Sequence, residues 1–189
     1  ITARGNDAAL TGQAALAAAR HDFSRALSRA DAALAVNPYS ARALAVRTDA
    51  LVELGRYDEA SVAAARADGL RPGVPTFTRL AYLRELHGDV EGARRLLERA
   101  LAAATAPPDL AYVRSQLGEL ARGSGALAVA DAQFAEAVRA VPGYAAGVAG
   151  RARVAAARGD VAAAVAGYRS LVERLPLPEY LVALGDLYT

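Results

Sequence analysis

The chain has 189 residues, about a quarter of them Ala, and contains no Cys, Met, Trp or Lys. Its 22 basic side chains are all Arg, set against 20 acidic ones, and only 6% of residues are aromatic. This composition excludes a disulfide framework, a thiolate metal site and a cysteine nucleophile. The net charge of +2, with no basic run longer than Arg94–Arg95, argues against nucleic acid as a partner.

Ala is the best helix former, with Leu and Arg close behind. No apolar/polar alternation of period two persists, so an all-α fold is expected. Ala buries little area, and a core built from it needs helices in close approach with small residues at regular contact points. The charge-free runs, such as Ala140–Gly150, fall short of the roughly 20 residues of a membrane span. No n-region and h-region of a secretory leader opens the sequence, and a start at Ile1 is expected to follow a missing natural N-terminus. Abundant Ala, Arg and Gly without Lys point to a bacterial, GC-rich genome. The lack of Cys fits either side of a cell envelope, so the compartment is left open.

In chain order, the opening residues lead into a first helix near Asp7, and His21-Asp22 forms a turn before a second helix with Ala26 and Ala33, closed by Pro38. The next pair turns at Gly55-Arg56, carries Tyr57, Ala60 and Ala67, and closes at Pro72. The third turns at Gly88-Asp89, with Ala93, Leu97 and Ala100, and is followed by a stretched connection over Ala104–Asp109. The fourth turns at Gly123-Ser124-Gly125, with Ala130, Phe134 and Ala137, and closes at Pro142. The fifth turns at Gly159-Asp160, with Ala164, Tyr168 and Leu171, and closes at Pro176. One further helix follows, carrying Leu184–Gly185 and Tyr188. Pro38 to Pro72 and Pro142 to Pro176 are each 34 residues apart, and Ala26, Ala60, Ala93, Ala130 and Ala164 follow one another at 34, 33, 37 and 34. Gly supplies the positive φ needed past a helix end, and Pro cannot continue a helix. Each unit therefore reads as two helices of about 13 residues, which bury enough surface only by stacking on their neighbours.

The period and the Leu117–Gly118, Gly125, Ala130, Phe134, Ala137, Pro142 pattern resemble the tetratricopeptide repeat family. The resemblance implies a right-handed α-solenoid of stacked helix-turn-helix repeats. Residues 1–189 then form a single array, with repeats at about 7–40, 41–73, 74–107, 111–144 and 145–177 and a partial first helix at 178–189. It also implies that the first helix of each repeat lines the inner, concave surface. By phase, Asp49, Tyr82, Glu85, Tyr112, Ser115, Glu119, Arg122 and Arg153 face that groove. Tyr and Arg are enriched at binding hot spots, so a peptide or protein segment is the expected partner. The Lys and Asn with which some members hold a chaperone's C-terminal carboxylate are absent. Arg122 and Arg153 remain as bidentate partners for an acidic peptide.

No catalytic, metal or cofactor site is expected. His21 and His87 lie at different turns, no His–Asp relay reaches a hydroxyl, and Gly123-Ser124-Gly125 lacks the strand and Lys of a phosphate loop. Glu85 and Glu119, in adjacent repeats, are the one carboxylate pair worth weighing for acid–base work. The alternative to a groove-binding scaffold is a structural or oligomerising array within a larger protein. Leu181, Val182, Leu184, Leu187 and Tyr188 leave the last helix apolar, which suits self-association.

Overall fold

The computed structural model describes residues 3–188. It contains eleven helices, and 81% of the chain is helical with no strand among the described residues. The helices are α1 (Ala3–Ala19), α2 (Phe23–Val36), α3 (Ala41–Glu53), α4 (Tyr57–Leu70), α5 (Val74–Leu86), α6 (Val90–Ala103), α7 (Pro107–Gly123), α8 (Leu127–Ala140), α9 (Ala145–Ala157), α10 (Val161–Arg174) and α11 (Pro178–Asp186). The chain divides into two compact units, residues 1–100 and 101–189.

In the first unit α1 to α5 pack in succession, and α1 touches α3 as α3 touches α5. The second unit repeats the scheme: α7 to α11 pack in succession, and α7 also touches α9. The odd-numbered first helices thus form one face of each unit. The chain is an all-α stack of helix-turn-helix repeats.

The turns between paired helices share one conformation. Gly55, Gly88, Gly125 and Gly159 have φ between +72° and +79°, and His21 takes the same place at +58°. A side chain in this region is strained. In three of these turns the next residue is Asp, which starts the following helix: Asp22 accepts from the Arg25 N–H, Asp89 from Gly92 and Asp160 from Ala163. One dipeptide therefore ends a helix and caps its successor.

Two boundaries differ from the sequence reading. The first helix begins at Ala3, not near Asp7, which instead lies buried within it and accepts from Asn37 Nδ2 at 2.8 Å; Ile1 and Thr2 lie outside the described residues. Half of the connection expected over Ala104–Asp109 is helix, because Pro107 and Pro108 occupy the first turn of α7. Proline is preorganised for that place, where its missing N–H has no partner to lose. The longer repeat spacing is absorbed by a 17-residue α7.

The alignment residues are the core. Ala26, Ala60, Ala93, Ala130 and Ala164 are all at most 1% exposed. The first unit buries Leu27, Leu44, Leu51 and Leu83 among Ala side chains. The second buries Phe134 with Ala130 and Val154, and Tyr168 with Ala149, Ala152 and Leu171. Phe134 fits because two glycines make room: a Cβ at Gly118 would stand 2.7 Å from its ring, and one at Gly150 nearer still.

Candidate functional site

In the first unit, α3 and α5 place Asp49, Tyr82 and Glu85 along the first-helix face. Arg79 binds Asp49 through both carboxylate oxygens, Nε to Oδ1 at 2.7 Å and Nη2 to Oδ2 at 2.8 Å. Asp49, Arg79 and the half-exposed Tyr82 line a cavity of about 150 Å³ with Thr48, Val52 and Glu53. Glu85 is exposed one turn beyond Tyr82.

The second unit brings together Tyr112, Glu119 and Arg122 of α7 with Arg153 of α9. Glu119 is shared between two guanidiniums: Arg122 Nε donates to its Oε2 at 2.9 Å, and Arg153 Nη2 donates to its Oε1. Both oxygens of Glu119 are therefore engaged by cations. The Tyr168 phenol of α10 lies close to Arg153. Burial pushes that phenol above its ordinary value, and Arg153 partly offsets the effect.

Beside this cluster lie three further tyrosines. Tyr112 is 42% exposed, and Tyr144 stands at the start of α9. Burial, and then the proximity of Tyr112 and Tyr180, push the Tyr144 hydroxyl up. Tyr180 of α11 meets Tyr168 at a centroid distance of 6.5 Å. The face therefore presents aromatic surface next to a cluster of net charge +1.

Ser115 differs from expectation. It lies on the turn of α7 between Tyr112 and Glu119 but is only 3% exposed, because its small side chain sinks between packed helices. Ser115 Oγ and Arg153 Nε are buried without a hydrogen-bond partner among the described residues. The sequence reading missed Arg79, Tyr144, Tyr168 and Tyr180 as site residues. Arg79 could have been found from its 30-residue offset to Asp49, close to one repeat period.

Grooves also lie off the first-helix faces. In the first unit, Val62, Ala65, Leu80, Leu83, Arg84 and His87 line a cavity of about 480 Å³. In the second, Asp131, Arg151, Arg158 and Asp160 edge one of about 420 Å³ over Ala152 and Gly167. His87 Nδ1 donates to the Leu83 carbonyl at 2.7 Å, and Nε2 stands 3.7 Å from Asp58. No cluster of metal-ligating side chains occurs among the described residues, and no helix there is long and apolar enough to cross a membrane.

No family model and no curated protein sequence matches the chain. Solved structures do. A thermophilic TPR protein of Thermus thermophilus, TTC0263, aligns with a TM-score of 0.83 at 19% identity, covering 96% of this chain and 98% of that one. PilW, a type IV pilus biogenesis factor, aligns at 0.79 and 18%, covering 95% and 86%. YrrB, described as a TPR protein with an unusual peptide-binding site, aligns at 0.61 and 22%, covering 93% and 89%. At these identities the likeness is one of fold.

Proposed function

Because the chain has the tetratricopeptide-repeat fold, we propose that it is a non-enzymatic scaffold that holds a peptide or protein segment on its first-helix faces. The repeat boundaries read from the sequence belong to this reading. So do the contact residues Asp49, Tyr82, Glu85, Tyr112, Glu119, Arg122 and Arg153, with Ser115 as a buried support. One observation carries it: Tyr112 and Tyr180 lie near Tyr144, and Tyr180 meets Tyr168, which stands by the Arg122–Glu119–Arg153 cluster of the second unit. Tyr and Arg together supply rigid contact area and directional donors, the make-up of interface hot spots. YrrB, of the same fold, is described as having a peptide-binding site, which supports the class of partner without naming it.

Affinity capture from the host's lysate tests this, with the chain and its Tyr112→Ala/Tyr180→Ala variant compared side by side. A protein held by the first and lost by the second is the expected result. Equal recovery by both means that this face does not bind.

A second reading has its own observation. Helix α11 buries no residue completely, and Leu181, Val182 and Tyr188 are 48%, 62% and 62% exposed. Such a surface suits self-association in a structural array. Sedimentation of the chain and of Leu181→Asp/Val182→Asp separates the two: a concentration-dependent dimer lost in the variant favours the array.

A further inference from the structure

Resting on the reading of the α7–α9–α11 side as a binding face, we infer that Glu119 is a built-in stand-in for the partner's own acidic side chain. A bound segment places an Asp or Glu carboxylate on Arg122, displaces Glu119 from it, and lays its neighbouring apolar residues on Tyr112, Tyr144 and Tyr180. Glu119 is thus an internal competitor, and Arg122 determines specificity.

The two guanidiniums are held differently. Arg153 reaches Glu119 from another helix, stands close to the phenol of Tyr168, which is 5% exposed, and has a buried Nε. Arg122 meets Glu119 three residues away on the same helix, through one N–H of the five it carries. Both side chains are about two-fifths exposed. A pair of this kind on a surface is weakly held, and an incoming carboxylate accepting two N–H bonds in parallel is a better partner for a guanidinium than a single Nε contact. The exchange strands no charge, because Glu119 keeps its bond to Arg153 when it leaves Arg122.

The pairing points the same way. Among the described ion pairs, the carboxylate of Glu119 is divided between the guanidiniums of Arg122 and Arg153, so neither has it to itself. In the first unit the corresponding place holds Asp49 bound on both oxygens by Arg79, with no second cation recruited to that carboxylate among the described residues. Acid selectivity therefore belongs to the second unit. Within the cluster Arg153 Nε is buried without a partner among the described residues. A surface fully settled in its unbound form leaves few such groups.

The test is selection of short random peptides from a display library on the intact chain and on three variants. The chain should enrich peptides in which Asp or Glu adjoins aromatic or other apolar residues. Glu119→Gln should bind the enriched peptides about tenfold more tightly, since the competitor is gone. Arg122→Gln should lose the preference for acid while melting at the same temperature, and Arg122→Glu should select Lys or Arg instead. A structural role for Glu119 does not produce tighter binding on its removal. Unimproved binding by Glu119→Gln, or acid enrichment that survives Arg122→Gln, overturns the inference. Should Glu119→Gln fold poorly, the Arg122 pair decides alone. Enrichment without acid preference overturns this inference and leaves the binding face standing; no enrichment by the unaltered chain overturns both.

Discussion

The two compact units solve one packing problem with different side chains. Four residues after the Ala that packs each second helix, the first unit has Ala30, Ala64 and Leu97, whereas the second has Phe134 and Tyr168. Ala30 and Ala64 let α2 and α4 close directly on their neighbours, and no aromatic ring stands at any of the three places. In the second, the helices close around rings, and Gly118 and Gly150 supply the room for Phe134. The choice reaches the surface. Tyr168 is a core residue whose phenol lies close to Arg153, so the aromatic core reaches the charged face. With no ring in its place, the first unit holds Asp49 through both carboxylate oxygens with Arg79. The off-face grooves differ in the same way, with Val62 and Leu80 in one and Asp131, Arg151 and Arg158 in the other.

Substitutions that exchange the two solutions sharpen this contrast. The largest effect should come from Phe134→Ala, which empties a fully buried ring site and should cost about 3–5 kcal/mol by chemical denaturation. Ala64→Phe, the reverse exchange in the first unit, should cost about 1–3 kcal/mol, because Thr48 stands where Gly118 does in the second. If Ala64→Phe is accepted without loss, the glycines are not what admits the ring. High pH offers a smaller, side-chain-specific probe. Tyr144 and Tyr168 have hydroxyls raised above the ordinary 10.0, so the fold holds their protons more tightly than the unfolded chain does. Their stabilisation is complete below about pH 10 and is lost as pH rises above it. Tyr168→Phe should flatten that part of a stability–pH profile. His21→Gly relieves the one non-glycine residue at positive φ among the described residues and should raise stability by about 1 kcal/mol. Asp49→Asn should lower it by less than about 1 kcal/mol, as expected of an exposed ion pair.

The sequence reading reaches the helix pairs and the core because both rest on local rules. A Gly or His at a turn, an Ala every 34 residues or so and a Pro after most second helices are each legible by type and spacing. The replacement of the turn glycine by His21 was visible, and the structure gives it the same left-handed backbone. The site was legible only in part. Phase alone points Asp49, Tyr82, Glu119, Arg122 and Arg153 to one side of their helices. It does not say that Glu119 engages two guanidiniums, since that depends on how far α9 lies from α7. It misjudges Ser115, whose short side chain is covered where longer neighbours are not. Tyr168 was read as a packing residue, and the closeness of its phenol to Arg153 depends on side-chain reach that spacing does not encode. The Pro107-Pro108 pair misled for a related reason: proline breaks a helix in its middle and suits one at its start.

The central claim is that a partner is held on the α7–α9–α11 side of the second unit. It is tested most directly by photo-cross-linking, with benzoylphenylalanine replacing Tyr112 on α7 or Val129 on α8. Both positions are exposed, at 42% and 54%, and they lie on different helices of one repeat. The account predicts that the captured partner cross-links through position 112 and not through 129. Cross-linking through 129 alone would contradict it and move recognition to the side of the second helices.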